Sequence, residues 1–368
     1  MARCLYCGRE SKLISSPLET CADCIRDYFS EVKPHLERIH AQTREIFSLP
    51  PKPPQPENGI LCRFCVNQCL IPPGGMGFCG TRRNVGDKLV GGRPYEGNLS
   101  WYYDPLPTNC VGNWVCPGGT ACGYPEFSFS KGPEYGYRNL AVFFHSCTFN
   151  CLFCQNWHYR RYSSKAGRKG PDFIVDGVND STSCICYFGG DPTPQLPYAI
   201  HASKLTLEKR AGRPFRICWE TNGAMNPRLL EKAAELSLHS GGTVKFDLKA
   251  LDEGLHYALC GTSNRWTLTN FRRLAELVPK RPEPPFLLAS TLLVPGYVDK
   301  EEIGNISRFI ASLNPHIPYS LLAFYPQFQM QDLPTTSRKH ARRCLEAAQK
   351  AGLKRVKIGN IHLLKDLY

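Results

Sequence analysis

The chain of 368 residues is long enough for two domains and a sizeable core, at roughly 150 residues per domain. Hydrophobic residues make up 42% of it and charged residues 21%, values that exclude a wholly disordered chain. No uncharged apolar run approaches the roughly 18 residues of a membrane span, and the first residues carry no apolar signal-peptide core, so we expect a cytoplasmic protein without a membrane partner. The formal net charge of +13 favours an acidic partner, but no RNA-binding signature points to nucleic acid.

Cysteine is the strongest compositional signal. The 19 cysteines are about 5% of the residues, below the roughly 8–10% typical of disulfide scaffolds. Without a secretory signal we expect reduced thiols, and clustered reduced thiols bind metal. Fourteen of them fall into four groups: Cys4, Cys7, Cys21 and Cys24; Cys62, Cys65, Cys69 and Cys79; Cys110, Cys116 and Cys122; Cys147, Cys151 and Cys154. The other five are interpreted as buried small hydrophobic residues: Cys184, Cys186, Cys218, Cys260 and Cys344.

Residues 1–49 are predicted to form a cysteine module followed by a helix. The spacing Cys4-x2-Cys7-x13-Cys21-x2-Cys24 is a four-thiolate signature close to that of a zinc ribbon, in which the metal has no open position. We therefore expect a structural or partner-binding zinc site, with a rubredoxin-like iron as the alternative.

A linker and an irregular region follow the module. Apolar residues at roughly helical spacing occupy 27–48, and the proline-rich segment 50–59 predicts a stiff linker. Residues 60–138 are rich in Gly, Pro, Cys and aromatic residues and show little periodicity, so we expect a metal-supported cap. Within it, residues 101–137 either form a lid that shields a reactive site or a cysteine-stiffened cap without a reactive role.

The cap contains a second candidate metal site. Its four cysteines, with glycines between them that permit a tight backbone, are Cys62, Cys65, Cys69 and Cys79. The spacing favours a bound metal over free thiols. Zinc, mononuclear iron and an iron–sulfur cluster are all compatible with it.

The pattern of apolar and polar residues changes at about Asn139. Seven short apolar segments alternate with amphipathic helical patterns through residues 139–368. Strands separated by helices of this length indicate βαβ units and a parallel sheet. The sequence therefore predicts an α/β barrel or partial barrel, with its chemistry at the carboxyl ends of the strands.

A three-cysteine motif follows the first of these strands. Cys147-x3-Cys151-x2-Cys154 offers three thiolates within eight residues, enough for three irons of a [4Fe–4S] cluster. The fourth iron is then open to an exogenous ligand, and Phe153 could place an aromatic ring beside that ligand. A zinc site that borrows a remote fourth cysteine is the alternative.

At these residues the chain resembles the radical S-adenosylmethionine (radical SAM) superfamily, especially the activase-like branch that includes archaeal proteins. The resemblance covers roughly residues 139–330 and implies a partial (β/α)6-type radical SAM barrel. It also implies that Gly189, Gly190 and Asp191, at the end of the second strand, match a Gly-Gly-Glu-Pro element whose backbone holds the amino group of S-adenosylmethionine. Here Asp191 stands in place of the glutamate.

Two further strand ends match positions of the same family. Glu220 and Asn222 fall where the family faces the ribose of S-adenosylmethionine. Asp247 and Lys249 follow the fourth strand, where Lys249 could pair with the methionine carboxylate. The resemblance implies that the cluster and S-adenosylmethionine together yield a 5′-deoxyadenosyl radical that abstracts hydrogen, with ferredoxin or flavodoxin as electron donor.

The resemblance leaves several substrates open. Three strings, at 107–110, 114–119 and 153–159, are similar to archaeal activase-like proteins, among them a methanogen cobalamin-dependent enzyme that C-methylates a glutamine of methyl-coenzyme M reductase. They imply a radical methyltransferase that modifies a protein after translation, although no Rossmann-like cobalamin domain is visible upstream. The alternatives are an activating enzyme that installs a glycyl radical on a partner enzyme, and a radical SAM enzyme that acts on a small molecule.

Overall fold

The computed structural model describes residues 1–108, 110–165 and 168–368. Asn109, which belongs to one of the three strings above, lies outside these ranges. Across the described ranges, no helix is both long and apolar enough to cross a membrane.

The strands are short at the amino terminus and longer from the cap onward. They are β1 Ala2–Arg3, β2 Glu10–Ser11, β3 Ile60–Leu61, β4 Leu70–Ile71, β5 Arg83–Val85, β6 Lys88–Val90, β7 Gly97–Pro105, β8 Arg138–Phe144, β9 Arg168–Lys169, β10 Thr182–Phe188, β11 Arg216–Thr221, β12 Val244–Asp247, β13 Leu287–Leu293, β14 Tyr319–Ala323 and β15 Val356–Gly359. The first six form three separate two-stranded hairpins, and the others form one large sheet.

The α-helices follow the strands in the pattern that the sequence predicts. They are α1 Ala22–Asp27, α2 Phe29–Glu45, α3 Pro117–Thr120, α4 Asp172–Val175, α5 Leu196–Lys209, α6 Pro227–Ser240, α7 Glu253–Cys260, α8 Arg265–Ala275, α9 Lys300–Leu313 and α10 Arg338–Lys350. From β10 onward, at least one of these helices separates each strand from the next, as parallel βαβ units require.

The large sheet has nine strands in the order β15-β14-β13-β12-β11-β10-β8-β7-β9. The seven strands from β8 to β15 in this order pair in parallel, while β7 is antiparallel to β8 and β9 is antiparallel to β7. The parallel strands from β8 to β14 are mostly buried on both faces, which explains their largely apolar sequence. The predicted α/β fold class, with a parallel-rich sheet, is therefore confirmed.

The strand β7 was not predicted. It belongs to the region expected to be irregular, yet seven of its nine residues pair along the whole of β8 and extend the sheet by one strand. Its sequence, GNLSWYYDP, shows no strict alternation of apolar and polar residues. Trp101 and Tyr103 are held in place by side-chain hydrogen bonds to the carbonyls of Phe173 and Gly177. Tertiary contacts, rather than local pattern, make this segment a strand.

The cap residues 106–137 cover the inner face of the sheet, the face opposite α5, α6 and α8. Trp114 Nε1 donates a hydrogen bond to Ser320 Oγ on β14 (3.0 Å), and Ser320 Oγ donates to the carbonyl of Val111 (2.8 Å). The space between the cap and the inner face is called the lumen below.

A buried ion pair fixes the other side of the cap to the sheet. Arg216 on β11 makes a bidentate pair with Glu134 of the cap, at 2.6 and 2.9 Å, and both side chains are almost fully buried. Ser183 donates to the same carboxylate. The burial of Glu134 raises its pKa, but Arg216 lowers it further, so the net pKa lies below the usual value.

We predict that Glu134→Ala destabilises the fold by about 3–5 kcal/mol, because it leaves the Arg216 charge buried without a partner. The measurement is the free energy of unfolding in denaturant. The control, Glu231→Ala, breaks an exposed pair with Arg273 and is expected to cost at most about 1 kcal/mol. Since the depressed pKa of Glu134 stabilises the fold above its unfolded-state pKa, the difference between wild type and Glu134→Ala should shrink as the pH falls through the folded-state pKa. Equal costs for the two variants would contradict the assignment.

Candidate active site and metal centres

The three-cysteine motif lies on the loop that leaves β8, at the carboxyl end of the sheet. Its backbone is docked on the last turn of α7, because Asn150 N donates to the carbonyl of Cys260 (2.8 Å) and Leu152 N donates to that of Leu259 (3.0 Å). Cys151 is buried, whereas Cys147 and Cys154 are partly exposed. The loop therefore presents three thiols at the position where parallel sheets carry their chemistry.

The side chain of Asn150 joins this loop to the amino-terminal helix α2. Its Nδ2 donates to Thr43 Oγ1 (2.8 Å) and contacts His40 Nδ1 at 3.0 Å. The Nε2 of His40 lies 3.1 Å from the carbonyl of Ala258, so we assign the ring proton to Nε2. Burial lowers the pKa of His40 to about 4, which keeps the ring neutral. These polar contacts of α2 were not predicted from its apolar spacing.

The residues around the loop fit an anionic iron–sulfur cluster. Arg160 is buried, and its Nη2 donates to Asn150 Oδ1 (3.3 Å), but its Nε and Nη1 have no partner among the described residues. The guanidinium lies beside Cys154 and the ammonium of Lys249 lies near Cys151. Buried donors without acceptors are rare in native proteins, and the sulfides and thiolates of a cluster would supply acceptors here. The site thus fits the group that the motif predicts.

The spacing of the three thiols is wider than a single ion requires. Among the described residues, the sulfur atoms of Cys147, Cys151 and Cys154 do not all lie within 4.8 Å of one another. Each thiolate of a [4Fe–4S] cluster binds a different iron, so a wider separation is required than around one zinc ion.

The two glycines at the end of β10 allow a close approach to this loop. Gly190 has a φ of +38°, and a side chain there would meet the carbonyl oxygens of Phe144 and Ser146 at 2.4 and 2.3 Å. Gly189 also has a positive φ, of +65°. Asp191 N donates to the Ser146 carbonyl at 2.7 Å. Only glycine permits this backbone path.

The carboxylate of Asp191 links two strand ends. It accepts hydrogen bonds from Asn222 N (2.7 Å) and Thr193 N (2.8 Å), while burial raises its pKa. Asn222 in turn donates from Nδ2 to Thr148 Oγ1 (2.8 Å) and lies 3.7 Å from Cys147 Sγ. The structure therefore brings Asp191, Asn222 and Cys147 together.

Asp247, Lys249 and Phe153 form a second group on the other side of the loop. Lys249 Nζ pairs with Asp247 Oδ2 at 2.6 Å and lies 5.7 Å from the centre of the Phe153 ring. Burial lowers the pKa of Lys249, but the Asp247 carboxylate raises it above its ordinary value, so the ammonium stays charged. A ligand carboxylate at Lys249 would have to share the ammonium with Asp247.

Glu220 lies apart from these groups. Its carboxylate faces the lumen, where it pairs with Lys245 Nζ at 2.9 Å and lies 3.1 Å from Cys110 Sγ. Sequence reasoning missed Lys245, because a single lysine inside the apolar strand VKFD gives no sign of its partners.

The amino-terminal cysteines form a metal-binding geometry. The sulfur atoms of Cys4, Cys7, Cys21 and Cys24 all lie within 4.8 Å of one another, and those of Cys7 and Cys21 are 3.8 Å apart. Tetrahedral ligation with Zn–S bonds of about 2.3 Å gives sulfur–sulfur distances of about 3.8 Å. The predicted cluster of four ligands is thus assembled, and it fits zinc or iron equally well.

The sulfur atoms of the second cysteine set lie farther apart than those of the amino-terminal set. Among the described residues, no three sulfur atoms of Cys62, Cys65, Cys69 and Cys79 lie within 4.8 Å of one another. The segment nevertheless reaches the active site, since Asn67 Nδ2 donates to the carbonyl of Thr148 at 2.7 Å. A metal at this site stays a prediction.

We predict that Cys7→Ser removes one equivalent of zinc or iron and lowers the melting temperature, because structural metal binding contributes directly to folding. Metal content by elemental analysis and thermal unfolding are the two measurements. Cys122→Ser, which changes a cap thiol beside Glu283, is the control and should retain the metal. Full metal content in Cys7→Ser would contradict the site.

Comparison with known proteins relates part of the chain to one protein family. The model of the radical SAM superfamily matches residues 141–310. An uncharacterised protein of Methanocaldococcus jannaschii is 24% identical over 320 residues, which are 83% of this chain and 82% of that protein. A second protein of M. jannaschii, provisionally named a glycyl-radical enzyme activating enzyme, is 28% identical over 192 residues, 50% of this chain and 67% of that protein.

A bacterial enzyme gives a shorter match of higher identity. The isethionate sulfite-lyase activating enzyme of Desulfovibrio desulfuricans is 34% identical over 138 residues, which are 37% of this chain but only 40% of that enzyme. Together with the three-cysteine loop at the carboxyl ends of parallel strands, the family match shows a radical SAM domain in residues 141–310.

Proposed function

We propose that this chain is an activating enzyme that passes a radical to a protein or peptide partner. The observation that carries the proposal is the loop of Cys147, Cys151 and Cys154 at the strand ends, with Nε and Nη1 of Arg160 unpartnered beside it among the described residues. Two relatives are named as activating enzymes, one of them provisionally, and these names support this reaction over other radical chemistry.

The side chains around the loop have separate tasks in this proposal. When bound, a reduced [4Fe–4S] cluster and S-adenosylmethionine supply a 5′-deoxyadenosyl radical. The backbone at Gly189 and Gly190 would hold the amino group of the methionine, and Lys249 would offer a positive charge to its carboxylate. Asn222, whose Nδ2 lies 3.7 Å from Cys147 Sγ, would contact the ribose.

The lumen limits what the radical can reach. A cavity of about 220 Å³ lies beside Glu220, lined also by Tyr102, Asp104, Cys110 and Cys186. Pockets for drug-sized ligands typically have about 300–1,000 Å³. A short peptide segment or one small side chain fits this space, which the cap partly covers.

Cobalamin-dependent methylation of a glutamine, as in methyl-coenzyme M reductase, is less well supported. The lumen cavity is too small to enclose a corrin ring. Two aromatic residues of the cap already have other partners, since Trp101 Nε1 donates to the Phe173 carbonyl and Trp114 Nε1 to Ser320. Methylation is therefore the competing outcome of the test below.

The reaction needs an electron for each turnover. A small acidic electron carrier, such as ferredoxin or flavodoxin, suits a chain with a formal net charge of +13. This donor is part of the proposal and is replaced by dithionite in the experiments.

We expect the triple variant Cys147→Ala, Cys151→Ala, Cys154→Ala to lose the iron and sulfide of one [4Fe–4S] cluster and all reductive cleavage of S-adenosylmethionine, since thiolates are the ligands of such clusters. Iron and sulfide analysis and 5′-deoxyadenosine release are measured on anaerobic protein. Cys344→Ala, which changes a buried cysteine of α10, is the control and should keep both. Undiminished cleavage in the triple variant would overturn the assignment of the site.

The partner reaction can be separated from methylation by one labelling experiment. Reduced protein is incubated with S-adenosylmethionine labelled in its methyl group and with the desalted proteome of its source cells. An activating enzyme is expected to give a carbon-centred radical signal in electron paramagnetic resonance on a second protein, without transfer of the label. Label on a protein, without a radical signal, would replace the activating reaction by methylation.

A further inference from the structure

The lumen contains a group of reactive side chains that the site described above does not use. Lys245 Nζ on β12 donates to Cys110 Sγ of the cap (2.9 Å) and to Cys186 Sγ on β10 (3.1 Å), and it pairs with Glu220 on β11 at 2.9 Å. The side chain of Lys245 is 4% exposed. Four segments thus converge on one buried ammonium.

The alternation of side chains along a strand places Glu220 and Lys245 side by side in the lumen. Glu220 and Lys245 are neighbours in the register of β11 and β12, and alternate residues of a strand point to the same face. Cys110 is supplied by the cap, whose Gly112 packs against the Lys245 stem, so that a side chain at that position would lie 3.3 Å from Cδ of Lys245. The cap is anchored here by Ser320 and is not free to carry Cys110 away.

The environment gives the two thiols different protonation. A hydrogen bond from Cys186 lowers the pKa of Cys110; burial raises it and Lys245 lowers it again, and the net pKa lies below the ordinary value. The pKa of Cys186 is raised well above its ordinary value, first by the proton it holds toward Cys110 and second by burial. A proton is therefore held more firmly by Cys186 than by Cys110.

A structural role alone does not account for this arrangement. An ion pair between Lys245 and Glu220 needs no thiol, and a buried cysteine that only fills space does not contact an ammonium. Both thiols also line the cavity of about 220 Å³ in which a substrate would sit, and Cys110 lies 3.1 Å from Glu220, a residue at the strand ends.

We propose that the Cys110–Cys186 pair is a hydrogen-atom relay between the strand-end site and the substrate. The S–H bond is weaker than a C–H bond of a methyl group and stronger than the Cα–H bond of a glycine residue, so both steps run downhill. In the first step a primary carbon radical takes the hydrogen atom of Cys186, which forms a C–H bond, breaks the S–H bond and leaves a thiyl radical. In the second step the thiyl takes a hydrogen atom from the substrate carbon, which restores the S–H bond.

The relay consumes no oxidant or reductant of its own, because hydrogen atoms are only exchanged. The relay rests on the radical chemistry of the proposed function but not on the identity of the partner.

The first test uses the wild-type protein without a partner. Reduced protein with S-adenosylmethionine in D₂O should release 5′-deoxyadenosine that carries deuterium, since thiol protons exchange with solvent, whereas carbon-bound protons do not. A product without deuterium overturns the relay. Absence of 5′-deoxyadenosine altogether would instead overturn the proposed function.

Variants identify the donor. Cys186→Ser should lower the deuterium content of each product molecule to the background level, because an O–H bond is too strong to donate. Cys184→Ser is the matched control: Cys184 lies on the same strand and face, contacts Asn139 at 3.4 Å, and should leave the deuterium content unchanged. Deuterium that persists in Cys186→Ser overturns the assignment.

A second measurement needs no cofactor. Iodoacetamide at neutral pH should alkylate Cys110 faster than Cys122, another partly exposed cap thiol whose pKa burial raises to about 12. Peptide mass spectrometry reports both rates, and Lys245→Gln should slow alkylation at Cys110 alone. Equal rates for Cys110 and Cys122 in the wild-type protein would show that Cys110 is an ordinary thiol and overturn the pair.

Discussion

The side-chain amide of Asn150 is the contact on which the rest of the site depends. It lies between two of the three motif cysteines and binds His40 and Thr43 of α2 and the guanidinium of Arg160. Because buried polar groups are costly unless they are paired, every member of this network fixes the others. The loop therefore has its geometry only when α2 is in place.

Through α2, the amino-terminal cysteine cluster is connected to the cysteine loop at the carboxyl end of the sheet. The metal module leads directly into α1 and α2, and Arg26 of α1 pairs with Asp299 and with the buried Glu302 near the start of α9. The module is therefore held against the carboxyl-terminal half of the sheet while α2 crosses to the cysteine loop. A site that looks purely structural in sequence contributes to the position of the catalytic loop.

The sequence predicted the parallel sheet and the cysteine loop because both have local signals. Apolar strands of regular length with helices between them dictate a parallel sheet, and three cysteines within eight residues dictate a cluster loop. The strand β7 and the polar contacts of His40 have no such signal, since they exist only through partners distant in the chain. Asp191 is intermediate, because its position is predictable but its bond to Asn222 N is not.

The spacing of Cys184 and Cys186 in the sequence already indicates that the two thiols lie on the same face of a strand. Cys184 and Cys186 are two residues apart in the strand CICYF and so must share one face. Interpreted as small hydrophobic residues, these cysteines need no polar partner. For Cys260 this interpretation agrees with its burial, since its sulfur lies 3.5 Å from that of Cys151 in the protein interior. What the sequence could not supply is the ammonium of Lys245 between Cys186 and Cys110, because it depends on the path of the cap.

The guanidinium of Arg160 has a consequence for the stability of the cysteine loop. Two of its buried nitrogen donors lack acceptors in the polypeptide alone, and each unsatisfied buried donor costs about 1–3 kcal/mol. The loop therefore gains stability when a bound cluster supplies acceptors to these donors.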